Sequence, residues 1–341
     1  MRALVIEGPG SLRYRDVPEP AWPPGEARVA VRLTGICNTD LELLKGYLGF
    51  TGIPGHEFVG VVENGPGHLI GRRVVGEINA ACGACETCRA GMERHCPNRT
   101  VLGIQKRPGA FAERLSLPAG NLFAVPDEVS DEEAVFTEPL AAALEILEQV
   151  HLPPGERVLV LGDGKLGLLV AQVLARHGCR VWLRGRHERK LALARRWGVC
   201  ALRIEDCGLR NEAAPGPEAE AQSAIPNPHS AIEGFPFVVE ATGSPAGFRE
   251  ALSAVRPRGT VILKSTYAPG ELPALDAAKV VVDEITLVGS RCGRFGPALR
   301  LLAQGKLDVR GLIDHRKPLA QGEEAFQLAA RKGALKVLVQ V

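Results

Sequence analysis

The spacing of hydrophobic residues changes character along the chain. Apolar and polar residues alternate from Ala27 to Leu33, and short apolar runs bounded by glycine follow over 55–65 and 71–78. Alternation with a period of two predicts half-buried strands, and the many glycines and prolines predict tight turns between them. We therefore expect residues 1–137 to form an irregular, largely β domain.

Beyond Glu138 the hydrophobic positions take helical spacing and then form buried strands. Leu140, Leu144 and Leu147 recur at a spacing that predicts an amphipathic helix, which ends at the Pro-Pro-Gly of 153–155. From Arg157 onward, segments of helical pattern alternate with the apolar runs RVLVLG, RVWLRG, FVVEATG and GTVILKS. That alternation predicts parallel strands joined by crossover helices, as in a doubly wound α/β sheet.

One stretch interrupts this alternation, between Glu205 and Gly234. It carries few hydrophobic residues and many alanine, glutamate, proline and serine residues. A doubly wound sheet normally has a short connection at such a point. We expect a surface insertion here, and a functional lid is the alternative interpretation.

Composition and charge narrow the classes of function. The chain has 341 residues, with 41 basic and 39 acidic side chains and a formal net charge of +2. This balance argues against a nucleic-acid partner, which would need a basic stripe or domain. No apolar run reaches the ~18 residues of a membrane-spanning helix, and the run within MRALVIEGPG is too short for a secretory signal. We expect a cytoplasmic protein with no membrane partner, in which nine cysteines favour metal or catalytic roles over disulfides.

Four cysteines are concentrated in the segment CGACETCRAGMERHC, namely Cys82, Cys85, Cys88 and Cys96. Four thiolates at this density can form a closed tetrahedral shell around one zinc ion, which is typical of a structural site. An iron–sulfur cluster is an alternative, but its last cysteine normally follows after three residues rather than seven. A thioredoxin-like pair would lie near a βαβ unit, and a nucleic-acid ribbon would have basic surroundings. The segment therefore predicts a zinc-stabilised lobe over 82–96.

A glycine-rich loop follows the first strand of the α/β part. Gly162, Gly164 and Gly167 give the spacing G-x-G-x-x-G between an apolar strand and a segment of helical pattern. Glycines at these positions permit a tight turn and close approach of the backbone to a pyrophosphate at the helix N-terminus. We expect a dinucleotide site here that also includes Lys165 and Leu166. A strand–helix turn with incidental glycines is the alternative.

The end of the next strand bears on the choice between NAD and NADP. NAD sites usually place an acidic residue there for the ribose 2′-hydroxyl, whereas an arginine suits the 2′-phosphate of NADP. Gly185 stands at this strand tip, followed by Arg186 and His187. The pattern favours NADP, because arginine forms charge-assisted hydrogen bonds with phosphate. The alternative is that Arg186 and His187 face solvent and that Glu188 serves NAD.

A second and sparser set of metal-binding residue types consists of Cys37, His56, Glu57 and Glu138. A catalytic zinc needs three protein ligands and an open position, and Cys37, His56 and one carboxylate would satisfy this requirement. Spacing alone leaves the choice between Glu57 and Glu138 open. A lone buried cysteine beside a structural histidine is the commoner situation.

Taken in order, the motifs of the chain resemble those of the zinc-dependent medium-chain dehydrogenases/reductases, a family that includes alcohol, sorbitol, threonine and glucose dehydrogenases. The motifs are GIC-TD, GHE-VG, the four-cysteine segment, EPLA, G-x-G-x-x-G and VVEATG. The resemblance implies an α/β fold with a GroES-like β-rich catalytic domain over 1–137 and a Rossmann doubly wound parallel-sheet domain over 138–290. It also implies a segment over 291–341 that returns to the catalytic domain, catalytic and structural zinc, and a homodimer or homotetramer.

The resemblance assigns roles to residues around the catalytic zinc. It implies that Cys37 and His56 are zinc ligands and that Glu138 matches the family's carboxylate in the EP motif. Thr39 matches the hydroxyl that passes on the substrate proton. Asp40 matches the acid that usually orients the ligand histidine.

The resemblance reaches the coenzyme site, and there and elsewhere the chain also departs from the family pattern. Thr242 and Gly243 match a strand end that borders the coenzyme, and Arg291 stands near a segment expected to contact it. Glu42 and Glu145 stand where the family often has histidines. The identity of the substrate therefore cannot be carried over.

These features predict a zinc-dependent oxidoreductase. It would transfer a hydride between an alcohol, polyol or sugar hydroxyl and NAD(P), with NADP favoured and with Thr39 accepting the hydroxyl proton. Reduction of an aldehyde or ketone is the same chemistry in the opposite direction. A non-catalytic nucleotide-binding or interaction protein that holds only the structural zinc is the alternative from another class.

Overall fold

A computed structural model describes residues 1–204, 234–267 and 273–341. These residues form two compact units, Met1–Glu145 with Cys292–Val341, and Ile146–Arg291. The insertion predicted between Glu205 and Gly234 lies outside the described residues, apart from Gly234 itself. The domain limits predicted at 137/138 and 290/291 stay a prediction. No helix in the described ranges is long and apolar enough to cross a membrane.

The first part of the chain consists mainly of short strands, as the alternation of apolar and polar residues predicts. The strands are β1 (Arg2–Gly8), β2 (Ser11–Asp16), β3 (Glu26–Gly35), β4 (Glu57–Asn64), β5 (Arg73–Gly76), β6 (Asn79–Ala80), β7 (Thr100–Leu102), β8 (Lys106–Arg107), β9 (Arg114–Pro118) and β10 (Leu122–Ala124). The α-helices are α1 (Asn38–Leu44), α2 (Glu86–Arg89), α3 (Asp131–Ala134) and α4 (Thr137–Gln149). The sequence predicted α4 but not α1 to α3, because such short helices show no periodicity.

The second unit is a parallel sheet with crossover helices. Its elements are β11 (Arg157–Leu161), α5 (Lys165–Arg176), β12 (Arg180–Gly185), α6 (Glu188–Arg196), β13 (Cys200–Arg203), β14 (Phe235–Glu240), α7 (Pro245–Ala254), β15 (Val255–Leu263), α8 (Ala277–Val282) and β16 (Thr286–Gly289). The six strands among the described residues pair in parallel in the order β13-β12-β11-β14-β15-β16. The central strand β11 is almost wholly apolar and buried, as expected where both faces of a sheet are covered. The predicted doubly wound α/β sheet is confirmed.

The C-terminal residues extend the sheet of the first unit. They form α9 (Phe295–Ala303), β17 (Ile313–Pro318), α10 (Gly322–Ala329) and β18 (Lys336–Gln340). The sheet has the order β10-β5-β4-β3-β18-β17, and β9 also pairs with β3. Strand β18 runs antiparallel to β3, with Leu338 opposite Gly35. This pairing places the start of β18 at the end of β3, where the metal-binding motifs follow.

An apolar cluster fixes the C-terminal elements to the N-terminal strands. Leu4 and Ile6 of β1, Phe111, Phe326 of α10 and Val337 of β18 are all buried in it. The rings of Phe111 and Phe326 meet edge to face, with centroids 5.2 Å apart, a favoured aromatic geometry. The register of β18 is therefore set by packing as well as by hydrogen bonds.

Candidate functional site

The four predicted cysteines of the 82–96 lobe converge on one point. Their sulfur atoms are separated by 3.4 Å (Cys85–Cys88), 3.5 Å (Cys82–Cys96), 3.7 Å (Cys85–Cys96) and 4.0 Å (Cys82–Cys88). A tetrahedron of zinc–sulfur bonds of about 2.3 Å has sulfur–sulfur edges of about 3.8 Å. Backbone N–H groups of Ala84 and Cys85 lower the pKa of Cys82 to about 6, which favours the thiolate that zinc requires. The lobe therefore fits one structural zinc ion.

A second convergent group consists of Cys37, His56 and Glu57, whose possible ligand atoms all lie within 4.8 Å of one another. Strand pairing produces this arrangement, because Gly35 at the end of β3 lies opposite Glu57 at the start of β4. Cys37 follows β3 closely, and Thr39 lies beside it, with its Oγ1 3.8 Å from the Cys37 Sγ. A Cβ at Gly35 would lie 2.6 Å from Glu57 Oε2 and 2.9 Å from Val135 Cγ1, so a larger residue there would displace the Glu57 carboxylate.

Asp40 of α1 contacts both His56 and Cys37, two of the predicted zinc ligands. Its Oδ2 accepts a hydrogen bond from the Cys37 N–H at 2.8 Å, and its Oδ1 accepts one from the Gly55 N–H at 3.1 Å. The same Oδ1 lies 3.4 Å from His56 Nδ1, which leaves Nε2 for a metal. Burial lowers the pKa of His56, but the charges of Asp40 and Cys37 outweigh burial and raise it. Asp40 is fully buried behind the ring, and His56 Nδ1 makes no hydrogen bond to it at this distance. A carboxylate in this position commonly orients a histidine that binds a metal.

Lys336 is a further member of this site that the sequence did not reveal. Its Nζ contacts Glu57 Oε2, and both side chains are only 1% exposed. The other oxygen, Glu57 Oε1, is buried without a hydrogen-bond partner. Buried carboxylate oxygens normally have a hydrogen-bond partner, so a buried oxygen without one in a group of possible metal ligands fits a bound cation. The one available signal was a lysine at the start of the otherwise apolar strand KVLVQV.

Glu138, the other candidate carboxylate, lies beside the ligand group rather than in it. It stands in the first turn of α4. Burial raises the pKa of Glu138 to about 7, with His56 lowering it and Glu57 raising it. The structure therefore brings Glu57 together with Cys37 and His56 and leaves the Glu138 carboxyl group as their neighbour.

The glycine loop has the shape that a pyrophosphate requires. Gly162 has a φ of +108°, and a Cβ there would lie 2.8 Å from the Ala241 carbonyl oxygen. A Cβ at Gly167 would lie 2.0 Å from the Gly162 oxygen, so the first and third glycines are needed for packing. A Cβ at Gly164 would meet no atom within 4 Å. The loop thus leaves open space at the N-terminus of α5, where free N–H groups favour an anion.

The remaining residues of the loop and its neighbours are on the surface or in the first helical turn. Lys165 and Leu166 form the first turn of α5. Glu188, the alternative acid for NAD, is exposed and pairs with Arg195 of its own helix. Arg291 is exposed at the end of the second unit.

Thr242 and Gly243 form a turn that is held by the buried carboxylate of Glu240. Its Oε1 accepts hydrogen bonds from the Thr242 N–H at 2.7 Å and from the Gly243 N–H at 3.1 Å. The Thr242 hydroxyl also bonds to Glu240. Because this hydroxyl is already hydrogen-bonded to Glu240, Thr242 stabilises the turn at the end of β14.

Asp163, between the first two glycines, is a second residue that the sequence did not single out. Its Oδ2 accepts hydrogen bonds from the Arg186 N–H at 2.9 Å and the His187 N–H at 2.7 Å, and lies 2.9 Å from His187 Nδ1. Burial raises the pKa of Asp163, but the hydrogen bonds from His187 help to outweigh burial and hold it below its ordinary value. Gly185, which ends β12, lies directly against this side chain.

Comparison with known families gives two matches that together span most of the chain. The model described as "Alcohol dehydrogenase GroES-like domain" matches residues 23–127, and that described as "Zinc-binding dehydrogenase" matches residues 166–304. An L-threonine 3-dehydrogenase of Chelativorans sp. (strain BNC1) is 33% identical over 355 residues, covering 99% of this chain and 98% of its own. D-arabinitol dehydrogenase 1 of Uromyces fabae is 29% identical over 349 residues, covering 100% and 97%.

Solved structures with either coenzyme resemble the chain. A putative zinc-binding dehydrogenase of Sinorhizobium meliloti 1021, bound to NADP, is 28% identical with a TM-score of 0.86. An alcohol dehydrogenase of E. coli CFT073, complexed with NADH, is 26% identical with a TM-score of 0.85. Both matches cover 100% of this chain and 99% of the other.

The comparisons favour catalysis over the non-catalytic alternative. The chain belongs to the zinc-dependent medium-chain dehydrogenases/reductases and is an NAD(P)-dependent oxidoreductase of alcohols and polyols.

Proposed function

We propose that Cys37, His56 and Glu57 bind the catalytic zinc and that Glu138 lies beside its open position. The observation that carries this assignment is that the ligand atoms of Cys37, His56 and Glu57 lie within 4.8 Å of one another. Glu57 Oε1, which is buried without a hydrogen-bond partner, supports it. Three protein ligands and a fourth open position are the composition of a catalytic zinc site. The lobe formed by the other four cysteines takes the structural zinc.

The surrounding residues have separate tasks in this proposal. Zinc, when bound, supplies a Lewis acid that favours loss of the proton from an alcohol hydroxyl. Thr39 relays that proton, since its hydroxyl stands next to the ligand Cys37: the oxygen accepts the substrate proton as the hydroxyl passes its own proton outward to water. Asp40 orients His56 through Nδ1. Lys336 holds Glu57 Oε2, so that Oε1 is left for the ion.

The coenzyme is proposed to bind with its pyrophosphate at the N-terminus of α5. The nicotinamide supplies the hydride acceptor, and the chain contributes binding and orientation. The open space at Gly164 and the close packing at Gly162 and Gly167 support this placement. The proposed coenzyme-binding residues are Gly162, Gly164, Lys165, Leu166, Gly167, Gly185, Arg186, His187, Thr242, Gly243 and Arg291.

The substrate class is proposed to be a secondary alcohol with a neighbouring hydroxyl or amino group. Two relatives support it, because their names give threonine and arabinitol as substrates. Each of these molecules carries a secondary hydroxyl beside a second polar substituent. The reverse reaction, reduction of the corresponding ketone, uses the same residues.

The test is an absorbance assay of nicotinamide reduction with zinc-loaded protein. NAD and NADP are each offered with L-threonine, D-arabinitol, other polyols, aldoses and simple primary alcohols. Turnover of one or more vicinally substituted secondary alcohols is expected, and Cys37→Ala should abolish it. Turnover confined to primary alcohols would contradict the substrate class. Absence of all turnover in protein shown to carry two zinc ions would contradict the proposal as a whole.

We further propose a cytoplasmic homodimer or homotetramer that is joined through β16. This strand is an edge of the six-stranded sheet as far as the described residues show. Val281 and Val282 of the preceding helix are 75% and 80% exposed. An open strand edge with apolar neighbours is suited to pairing with a second copy. Light scattering after size exclusion should give a dimer or tetramer mass, and a monomer would contradict this part of the proposal.

A further inference from the structure

We propose that Asp163 replaces the acidic residue that NAD enzymes usually carry at the strand tip, and thereby makes NAD the preferred coenzyme. This choice rests on the dinucleotide site proposed for the glycine loop. It opposes the preference for NADP that Gly185, Arg186 and His187 predict from sequence. Asp163 is one residue past the first glycine, where the G-x-G-x-x-G pattern itself places no demand on the side chain.

The Asp163 side chain fills the space in which a strand-tip acid would begin. A Cβ built on Gly185 would lie 2.5 Å from the Asp163 Cβ and 2.7 Å from its Oδ2. A larger residue at 185 and the present Asp163 therefore compete for one volume. The carboxylate at this edge of the sheet is thus not missing, but comes from the loop after β11 instead of from the end of β12.

Hydrogen bonds hold the carboxylate at this place. The backbone N–H groups of Arg186 and His187 both donate to Asp163 Oδ2, and the His187 ring lies at hydrogen-bond distance from the same oxygen. Successive N–H groups in a turn are a common binding element for anions. Here an internal carboxylate already occupies them, so a 2′-phosphate would have to displace it or bind elsewhere.

Electrostatics point the same way as the geometry. Burial raises the pKa of Asp163, but the hydrogen bonds from His187 and Arg186 and the charge of Lys190 outweigh burial and hold the pKa below its ordinary value, so the carboxylate is ionised at neutral pH. A 2′-phosphate would face this charge, whereas a 2′-hydroxyl can donate a hydrogen bond to it. The side chain of Arg186 is exposed. Water and salt screen an exposed charge more strongly than a buried one.

Coenzyme binding without substrate tests the inference on the unaltered protein. Dissociation constants for NADH and NADPH are measured by nicotinamide fluorescence on the full-length, zinc-loaded enzyme. We expect NADH to bind at least about tenfold more tightly, and salt between about 20 mM and 500 mM to narrow the difference, because it screens repulsion of the phosphate. Tighter binding of NADPH, or a preference for NADH that widens with salt, would overturn the role of Asp163.

A pair of variants separates Asp163 from the other charges of the turn. Asp163→Asn removes the charge at nearly constant size and should reduce the preference for NADH about fivefold or more, with part of the change as a gain in NADPH affinity. The matched control is Glu188→Gln, which neutralises an exposed carboxylate of the same turn and should leave the ratio unchanged. If Asp163→Asn does not fold, the salt dependence of the NADH and NADPH affinities of the unaltered enzyme decides whether Asp163 sets the coenzyme preference. Failure of folded protein to bind either coenzyme would instead refute the dinucleotide site.

Discussion

Lys336 and Glu57 lie 279 residues apart in the sequence and form a buried ion pair at the proposed zinc site. The register of the sheet brings them together, since Leu338 of β18 and Glu57 of β4 both pair with Gly35 of β3. Cys37 follows Gly35 by two residues in the chain. The C-terminal strand therefore supplies the cation that positions a carboxylate of the first metal-binding motifs.

Removing the cation of this pair should destabilise the fold strongly. Lys336→Met leaves Glu57 buried and unpaired, and we expect the free energy of unfolding to fall by about 3–5 kcal/mol. Urea denaturation of the zinc-free protein measures the loss. The control Lys45→Met breaks the exposed pair with Glu42 and should cost at most about 1 kcal/mol.

A double variant checks the cause of that loss. Lys336→Met combined with Glu57→Gln removes both charges, and most of the stability should return, because neither member of the pair is then left charged without the other. Equal losses in Lys336→Met and Lys45→Met would contradict the importance of the pair.

Asp40 should strengthen zinc binding at the Cys37 site by orienting His56. Asp40→Asn removes the charge beside Nδ1, and we expect zinc at the Cys37 site to bind about 10- to 100-fold more weakly. Competition with a chelating dye measures the affinity. Asp276→Asn alters an aspartate that caps α8 and should change neither zinc site. Unchanged affinity in folded Asp40→Asn would show that His56 needs no support from this carboxylate.

The four-cysteine lobe should depend on its metal for local order. Cys88→Ser removes one ligand, and trypsin should then cut at Arg89 or Arg94 at least about tenfold faster, because binding energy of a structural zinc is folding energy. Cys200→Ser alters an exposed cysteine outside the lobe and should leave the cleavage rate unchanged. Equal rates in both variants would argue against a structural zinc.

The local motifs could be read from the sequence because their partners are close in the chain. Cys82 and Cys96 are separated by one short lobe, and the three glycines act within one turn. Alternation of apolar and polar residues likewise predicted strands of the first unit, and short apolar runs predicted those of the second. These features depend on spacing alone, which a sequence displays directly.

The contacts of Lys336 and Asp163 could not be predicted in this way. Lys336 reaches Glu57 only through the pairing of β18 with β3, which depends on how the whole sheet is ordered. Asp163 reaches the tip of β12 because two parallel strands end side by side. From sequence, Gly185 indicates a strand tip without an acidic residue. In the structure, the missing side chain at 185 leaves room for the Asp163 side chain from the neighbouring loop.

The Glu26 carboxylate gives the first unit a pH-dependent contribution to stability. It accepts two hydrogen bonds from Arg107, at 2.7 Å and 2.8 Å, and another from Ser116. Burial raises the pKa of Glu26, but the bonds from Arg107 and Ser116 outweigh burial and lower it below the ordinary value of 4.5.

A lowered pKa in the folded state means that the contribution is present above pH 4.5 and is lost as the pH falls through the folded value. Glu26→Gln should therefore unfold at lower urea concentration than the unaltered protein at pH 7, and the difference should shrink at more acidic pH. Glu323→Gln changes an exposed ion pair and should show little difference at any pH. A difference for Glu26→Gln that is constant with pH would contradict the assignment.

Zinc content measured together with turnover tests the central claim most directly. Mass spectrometry of the metal should find two zinc ions per chain in the unaltered protein and one in Cys37→Ser, as two convergent ligand groups require. Turnover of a substrate accepted by the unaltered enzyme should fall about a thousandfold or more in Cys37→Ser, because the Lewis acid contributes several kcal/mol, while circular dichroism stays unchanged. Full turnover in Cys37→Ser with its zinc content undiminished would contradict the account.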